Sequence, residues 1–383
     1  MTVDWTLECS ACAAVSGADG LPTVCSACGQ PWLVRYDRRP DPALRGVLRE
    51  RPATMWRYRE WLPVGQGEEP VSLGEGMTPL VRAPTLERAL GVATVWIKDE
   101  AQNPTGSFKA RGMSAAVTRA AAAGTPRFTV PTAGNAGVAL SAYGARAGRA
   151  VRIYAPRTTP GRLLEQMRIH GGEVVVQDGH IGDCGRASRA WAEDSGAFDV
   201  STLREPYRIE GKKTLGLEIA EQLGWTLPDV IVYPTGGGTG LIGMWKAFTE
   251  LRAAGWLAAE ARTRLVSVQA TGCAPVVRAW QAGTPRTSAW EDPVTVASGL
   301  RVPAPLGGAL VLRALRETGG TAVAVTDEVL SAAERRVAVE EGLDMCPEGG
   351  AAVAALGDLV RTGFVRADAR VVVFNTGAGW LYR

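Results

Sequence analysis

The chain has 383 residues, 46% of them hydrophobic and 21% charged, with a formal net charge of +3. That length suits two domains with a small appendage, and the composition excludes a mini-scaffold or a low-complexity chain. With Lys and Arg spread along the chain, so small a net charge gives no electrostatic case for nucleic acid or an anionic membrane as partner.

The first residues carry Asp4 and Glu8 where a secretory leader needs bases, so a cytoplasmic protein is expected. No apolar run approaches the ~20 residues of a membrane helix, because even the stretch 115–123 is broken by Thr118 and Arg119. Four of the seven cysteines fall within the first 28 residues, as Cys9-x-x-Cys12 and Cys25-x-x-Cys28. Two tight turns, each offering two thiolates, can close a tetrahedral shell around Zn²⁺ with no open position, which predicts a structural zinc ribbon over 1–38. Disulfides, a site that has lost its metal and a nucleic-acid-binding ribbon are the alternatives. The last is weakened by the few basic and aromatic residues between Cys9 and Cys28. Pro40 and Pro42 mark a linker after the ribbon.

Further on, strand-like runs alternate with alanine-rich helical ones. Strands are expected at 95–98, 127–130, 151–154, 173–176, 230–233, 265–268, 321–325 and 371–374, with helices at 110–123 and 137–147 among the intervening segments. Continuous β-branched runs flanked by helices indicate parallel strands buried on both faces, hence an α/β chain with two open sheets. In such sheets ligands bind beyond the carboxyl ends of strands, so the turns after them are where chemistry is sought.

Four turns stand out. Segment 103–112 is polar and leads straight into the first helix, putting Lys109 at a helix N-terminus, where the macrodipole disfavours an ammonium and suits a nucleophilic amine. A surface lysine in a first turn is the plain alternative. After the 127–130 strand, the turn 131–137 offers backbone amides and the Asn135 side chain, which either donates to a ligand oxygen or caps the next helix. After the 230–233 strand comes Pro234-Thr235-Gly236-Gly237-Gly238-Thr239-Gly240, opening a helix expected at Leu241. Its glycines let backbone wrap a phosphate, and the Gly-Lys-Ser/Thr ending of a Walker loop is absent. Last, Thr376 follows the 371–374 strand with a neutral hydroxyl.

A lysine for an aldehyde, an amide for a ring oxygen, a glycine loop for phosphate and a hydroxyl for a ring nitrogen together describe pyridoxal 5'-phosphate. The order Ser107-Phe108-Lys109, Ala133-Gly134-Asn135, Gly236 to Gly240 and Thr376-Gly377 resembles the fold-type II pyridoxal phosphate enzymes, of the tryptophan synthase beta-like kind. The ribbon ending in Val34-Arg35-Tyr36-Asp37, followed by Leu73-Gly74-Glu75-Gly76-Met77-Thr78-Pro79-Leu80, is similar to bacterial threonine synthase-like proteins. This resemblance implies two α/β domains after the ribbon: a large cofactor-binding one from 39–100 with 205–383, and a smaller one over 101–204. It implies Lys109 as the Schiff-base lysine, Asn135 on the phenolic oxygen, Gly236, Gly237, Gly238, Thr239 and Gly240 on the phosphate, and Thr376 facing the pyridine nitrogen. The implied activity is that of a carbon–oxygen lyase turning O-phospho-L-homoserine and water into L-threonine and phosphate, in a homodimer whose other partner is a small amino-acid substrate.

Around the substrate, Thr132, Ala133, Arg111 and Arg208 are the candidates, with Arg204 and Lys212 or Lys213 as further cations. The cluster 204–214 is otherwise a solvated entry to a helix expected near Thr214. Cys184, Cys273 and Cys346 read as packing residues, and His170 and His180 as structural ones. Threonine synthases commonly carry Asp where this chain has Ala110 and a hydroxyl where it has Ala133, and Trp380 stands in an altered C-terminal motif. These departures keep a threonine/serine ammonia-lyase or a β-replacement enzyme as the alternative. The non-enzymatic alternative, a ribbon on a degenerate cofactor fold, is opposed by the intact Lys109.

Overall fold

The structure, a computed structural model, describes residues 4–383. Three short strands come first: β1 (Trp5–Cys9), β2 (Val15–Gly17) and β3 (Trp32–Tyr36), followed by α1 (Leu44–Leu48). Next in order are β4 (Leu80–Arg82), α2 (Pro84–Leu90), β5 (Thr94–Asp99), α3 (Lys109–Ala122), β6 (Arg127–Pro131), α4 (Asn135–Arg146) and β7 (Ala150–Pro156). Then come α5 (Gly161–Ile169), β8 (Glu173–Gln177), α6 (Ile181–Ser195), β9 (Phe198–Asp199), α7 (Tyr207–Gln222), β10 (Val230–Pro234), α8 (Thr239–Ala253) and β11 (Arg264–Ala270). The chain closes with α9 (Pro275–Gln281), α10 (Gly308–Glu317), β12 (Thr321–Val325), α11 (Asp327–Glu341), α12 (Pro347–Arg361) and β13 (Arg370–Asn375). All eight expected strands are present. Sequence patterning missed β4, β9 and the three ribbon strands, each too short to show a period of its own.

Two compact units divide the chain. One comprises Met1–Met77, Asn103–Leu215 and Ala253–Trp256; the other comprises Thr78–Gln102, Gly216–Arg252 and Leu257–Arg383.

In the first unit, an antiparallel sheet of order β2-β1-β3 forms the ribbon, and a parallel sheet of order β8-β7-β6-β9 forms the α/β part. Along β1 the side chains of Trp5, Leu7 and Cys9 alternate inward, the two-residue period of a half-buried strand. Helix α3 is buried from Ala110 to Ala120, as an alanine-rich helix covered on every side should be. It crosses α7 with almost no side-chain spacer. A Cβ on Gly211 would lie 2.1 Å from the Arg111 carbonyl oxygen, so only glycine permits this approach.

Beneath that crossing lies a buried carboxylate, Glu75. One oxygen accepts from Trp56 Nε1 at 2.8 Å and Ser114 Oγ at 2.6 Å, the other from Tyr143 Oη at 2.6 Å and the Leu73 amide at 2.9 Å. Burial first, and the Glu75 charge second, hold the Tyr143 phenol far above its ordinary range. This cage ties the 72–77 segment to α3 and α4. Glu75→Leu strands these donors without water, each at about 1–3 kcal/mol, so chemical denaturation should report a loss of at least about 3 kcal/mol. Glu75→Gln, which keeps an acceptor oxygen, should lose less.

In the second unit, the sheet order is β12-β11-β10-β13-β5-β4, parallel except for β4 at its edge. Every residue of central β10 is buried, which is why its sequence runs Val-Ile-Val-Tyr without polar alternation. Val230, Val232, Val266, Val268, Val371 and Val373 share one core with Leu356 and Leu359 of α12. Lys98 is buried too. Its Nζ donates to Glu218 Oε2 at 3.0 Å, to the Thr78 carbonyl at 2.7 Å and to Gln222 Oε1 at 2.9 Å, so the charge taken from water is both paired and hydrogen-bonded. No helix among the described residues is long and apolar enough to cross a membrane.

Candidate active site

Lys109 is the first residue of α3, as its sequence context predicts, and is half-buried. Its Nζ sits 4.2 Å from the centre of the Phe108 ring, which holds the amine at the helix start. Two residues earlier, Ser107 is fully buried and its Oγ has no hydrogen-bond partner in the structure, an orphan of the kind a bound group satisfies. Asn135 is also the first residue of its helix. Gly134 occupies the cap position of α4 and no side chain caps it, so the capping alternative for Asn135 does not hold. Thr132 Oγ1 accepts from the Gly134 amide at 3.0 Å, which shapes this turn from within.

Four further cations of this unit have partners. Arg111 is fully buried and its Nη1 donates to Thr214 Oγ1 at 2.9 Å; Arg208, also buried, donates to the Val200 carbonyl at 2.6 Å. Lys213 Nζ lies 2.7 Å from Glu210 Oε2, and Lys212 donates to the Phe108 carbonyl. The expectation of a helix beginning near Thr214 is corrected: α7 starts at Tyr207, so these groups lie in the first turns of a buried helix rather than at a solvated entry. Glu205 caps it, accepting from the Tyr207 amide at 2.7 Å and the Arg208 amide at 3.1 Å. Burial pushes the Glu205 carboxyl up to about 7 against the opposing pull of the Arg208 guanidinium.

The ribbon brings four sulfurs together. Cys9 Sγ lies 3.4 Å from Cys28 Sγ, and Cys12 Sγ lies 3.7 Å from Cys25 Sγ; all four fall within 4.8 Å of one another. Burial resists ionisation of Cys9, yet the Cys12 and Ala11 amides and the neighbouring thiols pull it down to about 6. At Cys28 the Gln30 amide favours the thiolate, but the Cys9 thiol and burial prevail and push it up to about 12. Thiols this close cannot all ionise without a cation among them, and the donor set fits a soft divalent one. From the far end of the ribbon, Tyr36 Oη donates to Glu210 Oε2 at 2.6 Å, and Lys213 Nζ lies 4.3 Å from the Tyr36 ring centre.

In the second unit the glycine loop runs from the end of β10 into α8, which starts at Thr239, two residues before the expected Leu241. The first amides of α8 have no intrahelical acceptor and face the loop end, the arrangement that receives an anion. Glycine is required here. A Cβ on Gly236 would lie 2.1 Å from the Gly299 carbonyl oxygen, and Gly238 has a φ of +85°. Gln269 braces the entry, its Nε2 donating to the Thr235 carbonyl at 3.1 Å while its Oε1 accepts from the Val276 amide at 2.8 Å.

Thr376 follows β13 directly and is buried. Its Oγ1 lies 3.5 Å from Cys346 Sγ, and the preceding Asn375 donates to Asp99 Oδ1 at 2.8 Å. Cys346 therefore neighbours a candidate site residue, though burial holds its thiol well above the ordinary range. Glu348 accepts from the Gly299 amide at 2.7 Å and so steadies the segment packed against the glycine loop. Trp380 lies half-exposed in the short helix Gly379–Tyr382.

The profile of the pyridoxal-phosphate dependent enzyme family matches residues 71–377. The chain belongs to that family. A threonine synthase of Methanosarcina acetivorans is 35% identical over 97% of this chain and 91% of its own length. One of Mycobacterium leprae is 36% identical over 86% and 88%. Among solved structures, maize serine racemase superposes with a TM-score of 0.68 at 20% identity, covering 79% of this chain and 88% of that one, and so shares the fold. This pyridoxal-phosphate enzyme thus has the fold-type II α/β architecture expected from its motifs. Sequence reading missed the Glu75 cage, the Tyr36–Glu210 link, Gln269 and Glu348. Each is a single polar residue whose partner is brought to it by the fold, so no local pattern announces it.

Proposed function

We propose that this pyridoxal-phosphate enzyme is a threonine synthase, releasing phosphate from O-phospho-L-homoserine and adding water to give L-threonine. The observation that carries the reading is the likeness to named threonine synthases over 97% of the chain, a span that reaches into the cysteine ribbon. Pyridoxal phosphate, when bound, supplies an electron sink for negative charge on the substrate carbon.

The chain's own residues supply the rest. Lys109 would be the nucleophile toward the cofactor aldehyde. Its freed amine would take the substrate Cα proton, pass it on and so be free to take a Cβ proton as phosphate leaves from Cγ. Protons would then return to Cγ and Cα, with water supplying the Cβ hydroxyl. Asn135 would donate to the cofactor's phenolic oxygen, and Gly236, Gly237, Gly238, Thr239 and Gly240 would hold its phosphate through backbone amides and a hydroxyl. Thr376 would offer the pyridine nitrogen a neutral hydroxyl, which would not hold a proton there as a carboxylate would. Thr132 and the Ala133 backbone hold the substrate end, with Arg111 and Arg208 setting the field around it from buried positions. Cys9, Cys12, Cys25 and Cys28 hold one structural Zn²⁺. The homodimer implied by the resemblance is checked by sedimentation.

One observation favours a second reading. Ala110, directly after the lysine, is fully buried, where threonine synthases commonly place an acid. An ammonia-lyase acting on threonine or serine needs no group for a γ-phosphate. A side-by-side assay on O-phosphohomoserine, threonine and serine decides. Phosphate release with threonine formation is expected; ammonia and oxoacid from threonine or serine, with O-phosphohomoserine inert, would establish the lyase instead.

A further inference from the structure

The proposed reaction leaves Cys346 unused, although it is fully buried beside Thr376. It occupies the N-cap of α12, a position that Ser, Thr, Asp and Asn usually fill, and its sulfur accepts from the Gly349 amide at 3.4 Å. Its own amide donates to the Gly377 carbonyl at 3.1 Å and to Asn375 Oδ1 at 3.2 Å. Asn375 is pinned in turn. Its side-chain nitrogen donates to Asp99 Oδ1 at 2.8 Å, as only that end of the amide can, so its oxygen faces Cys346. The start of α12 is therefore tied to the turn 375–377 that carries Thr376. Gly349 permits the fit, because a Cβ there would lie 2.7 Å from Asn375 Oδ1.

The thiol keeps its one proton, because burial first and the Glu348 charge second oppose its loss. Three side chains offer that proton an oxygen. Glu348 Oε1 is taken by the Gly299 amide, and Oε2 makes no hydrogen bond in the structure. Asn375 Oδ1, 3.5 Å from the sulfur, already receives the Cys346 amide. Thr376 Oγ1, also 3.5 Å away, has no second hydrogen-bond partner among the described residues, so it gains most from the thiol proton. The opposite direction, hydroxyl to sulfur, is poor. Sulfur accepts weakly, and here it already receives the Gly349 amide. A thiol proton on Oγ1 leaves the Thr376 hydroxyl proton for a group in the site and strengthens that hydroxyl as a donor.

We propose that Cys346 is a positioning residue for Thr376: its thiol donates to Oγ1 and so turns the hydroxyl proton toward the pyridine nitrogen, which stays hydrogen-bonded but unprotonated. A hydroxyl rotates to suit its partners, so without the thiol Thr376 has no fixed direction in which to donate. The inference rests on the reading that Thr376 faces that nitrogen, and its test reads the nitrogen itself rather than turnover.

The full-length chain, loaded with pyridoxal phosphate carrying ¹⁵N in its ring, reports that nitrogen by magnetic resonance. In the unaltered protein the signal should be that of an unprotonated, hydrogen-bonded pyridine. Thr376→Val should move it toward a bare pyridine, and Cys346→Ala should move it in the same direction. Cys346→Ser, which keeps a donor and a cap, should bring it back. One weakened hydrogen bond should also lower cofactor affinity by at most about tenfold. A signal moved by Thr376→Val and untouched by Cys346→Ala would leave the thiol a capping role only and overturn the proposal. A signal untouched by Thr376→Val would show that Thr376 does not face the nitrogen, so that reading fails visibly and takes the proposal with it. Should Cys346→Ala fail to fold, the infrared S–H stretch decides, assigned to Cys346 by its loss in Cys346→Ser. A rise in its frequency in Thr376→Val supports donation to Oγ1; an unchanged band assigns the thiol proton to Asn375 or Glu348 and overturns it.

Discussion

Lys109→Ala removes the visible absorbance of the lysine-bound cofactor and lowers turnover by more than about 10³-fold, with the far-ultraviolet dichroism unchanged. The loss is expected to be large because, in the proposed reaction, one amine serves both as covalent anchor and as proton carrier, and proton transfer alone is worth about 10²–10⁴-fold. The fold should survive. Lys109 is half-buried at the first position of α3, and alanine is the best helix former. A retained absorbance band would move the Schiff base to another lysine. Lys98 and Lys213 are both fully buried in ion pairs, so such a result would also require their carboxylate partners to let go.

Elemental analysis of the purified chain finds about one zinc, and removing it by chelation or by Cys25→Ser with Cys28→Ser lowers the unfolding midpoint by roughly 5–10 °C. The proposed zinc would close the ribbon through four metal–thiolate bonds, beside a small apolar set of Trp5, Leu7, Trp32, Leu33 and Val34. Unfolding of the ribbon would not stay local. Tyr36 donates to the buried Glu210, Lys213 packs on the Tyr36 ring, and Arg119 of α3 lies 5.0 Å from the Trp5 ring centre. Losing β1 and β3 would open the Glu210–Lys213 pair to water and uncover the flank of α3. A metal-free protein with the same midpoint, or one with its ribbon cysteines disulfide-linked, would refute a structural zinc. The chemistry of Lys109 should change less than stability does, because no ribbon residue is assigned a role in the reaction.

The motifs that carry the proposed chemistry were legible because each is contiguous. The Gly236–Gly240 run, the lysine before an alanine-rich helix and the paired Cys-x-x-Cys turns each encode a local backbone shape, and local shape depends on neighbouring residues alone. The fate of the cations was not legible. Arg111 and Arg208 look from sequence like anion ligands, yet both are buried on Thr214 and Val200. The α7 start was misjudged by seven residues because its first turns are polar in sequence, and only the burial of Glu210, Lys212 and Lys213 makes them helix interior.

The residue order by itself determined the alternating α/β architecture, the glycine loop between a strand and a helix, the lysine at a helix start and the four-sulfur ribbon. In each case the decisive interaction spans a few residues, and steric or coordination rules admit few outcomes. Tertiary structure alone decided which charges are spent on holding the fold and which are left to act. Tyr36 reaches Glu210 across 174 residues, Lys212 reaches the Phe108 carbonyl across 104, and Trp56, Ser114 and Tyr143 converge on Glu75. Such partners are selected by helix crossings set at Gly112 and Gly211, and the strength of each interaction is set by exclusion of water. Neither the crossing nor the dryness is a property of any segment of the chain taken alone.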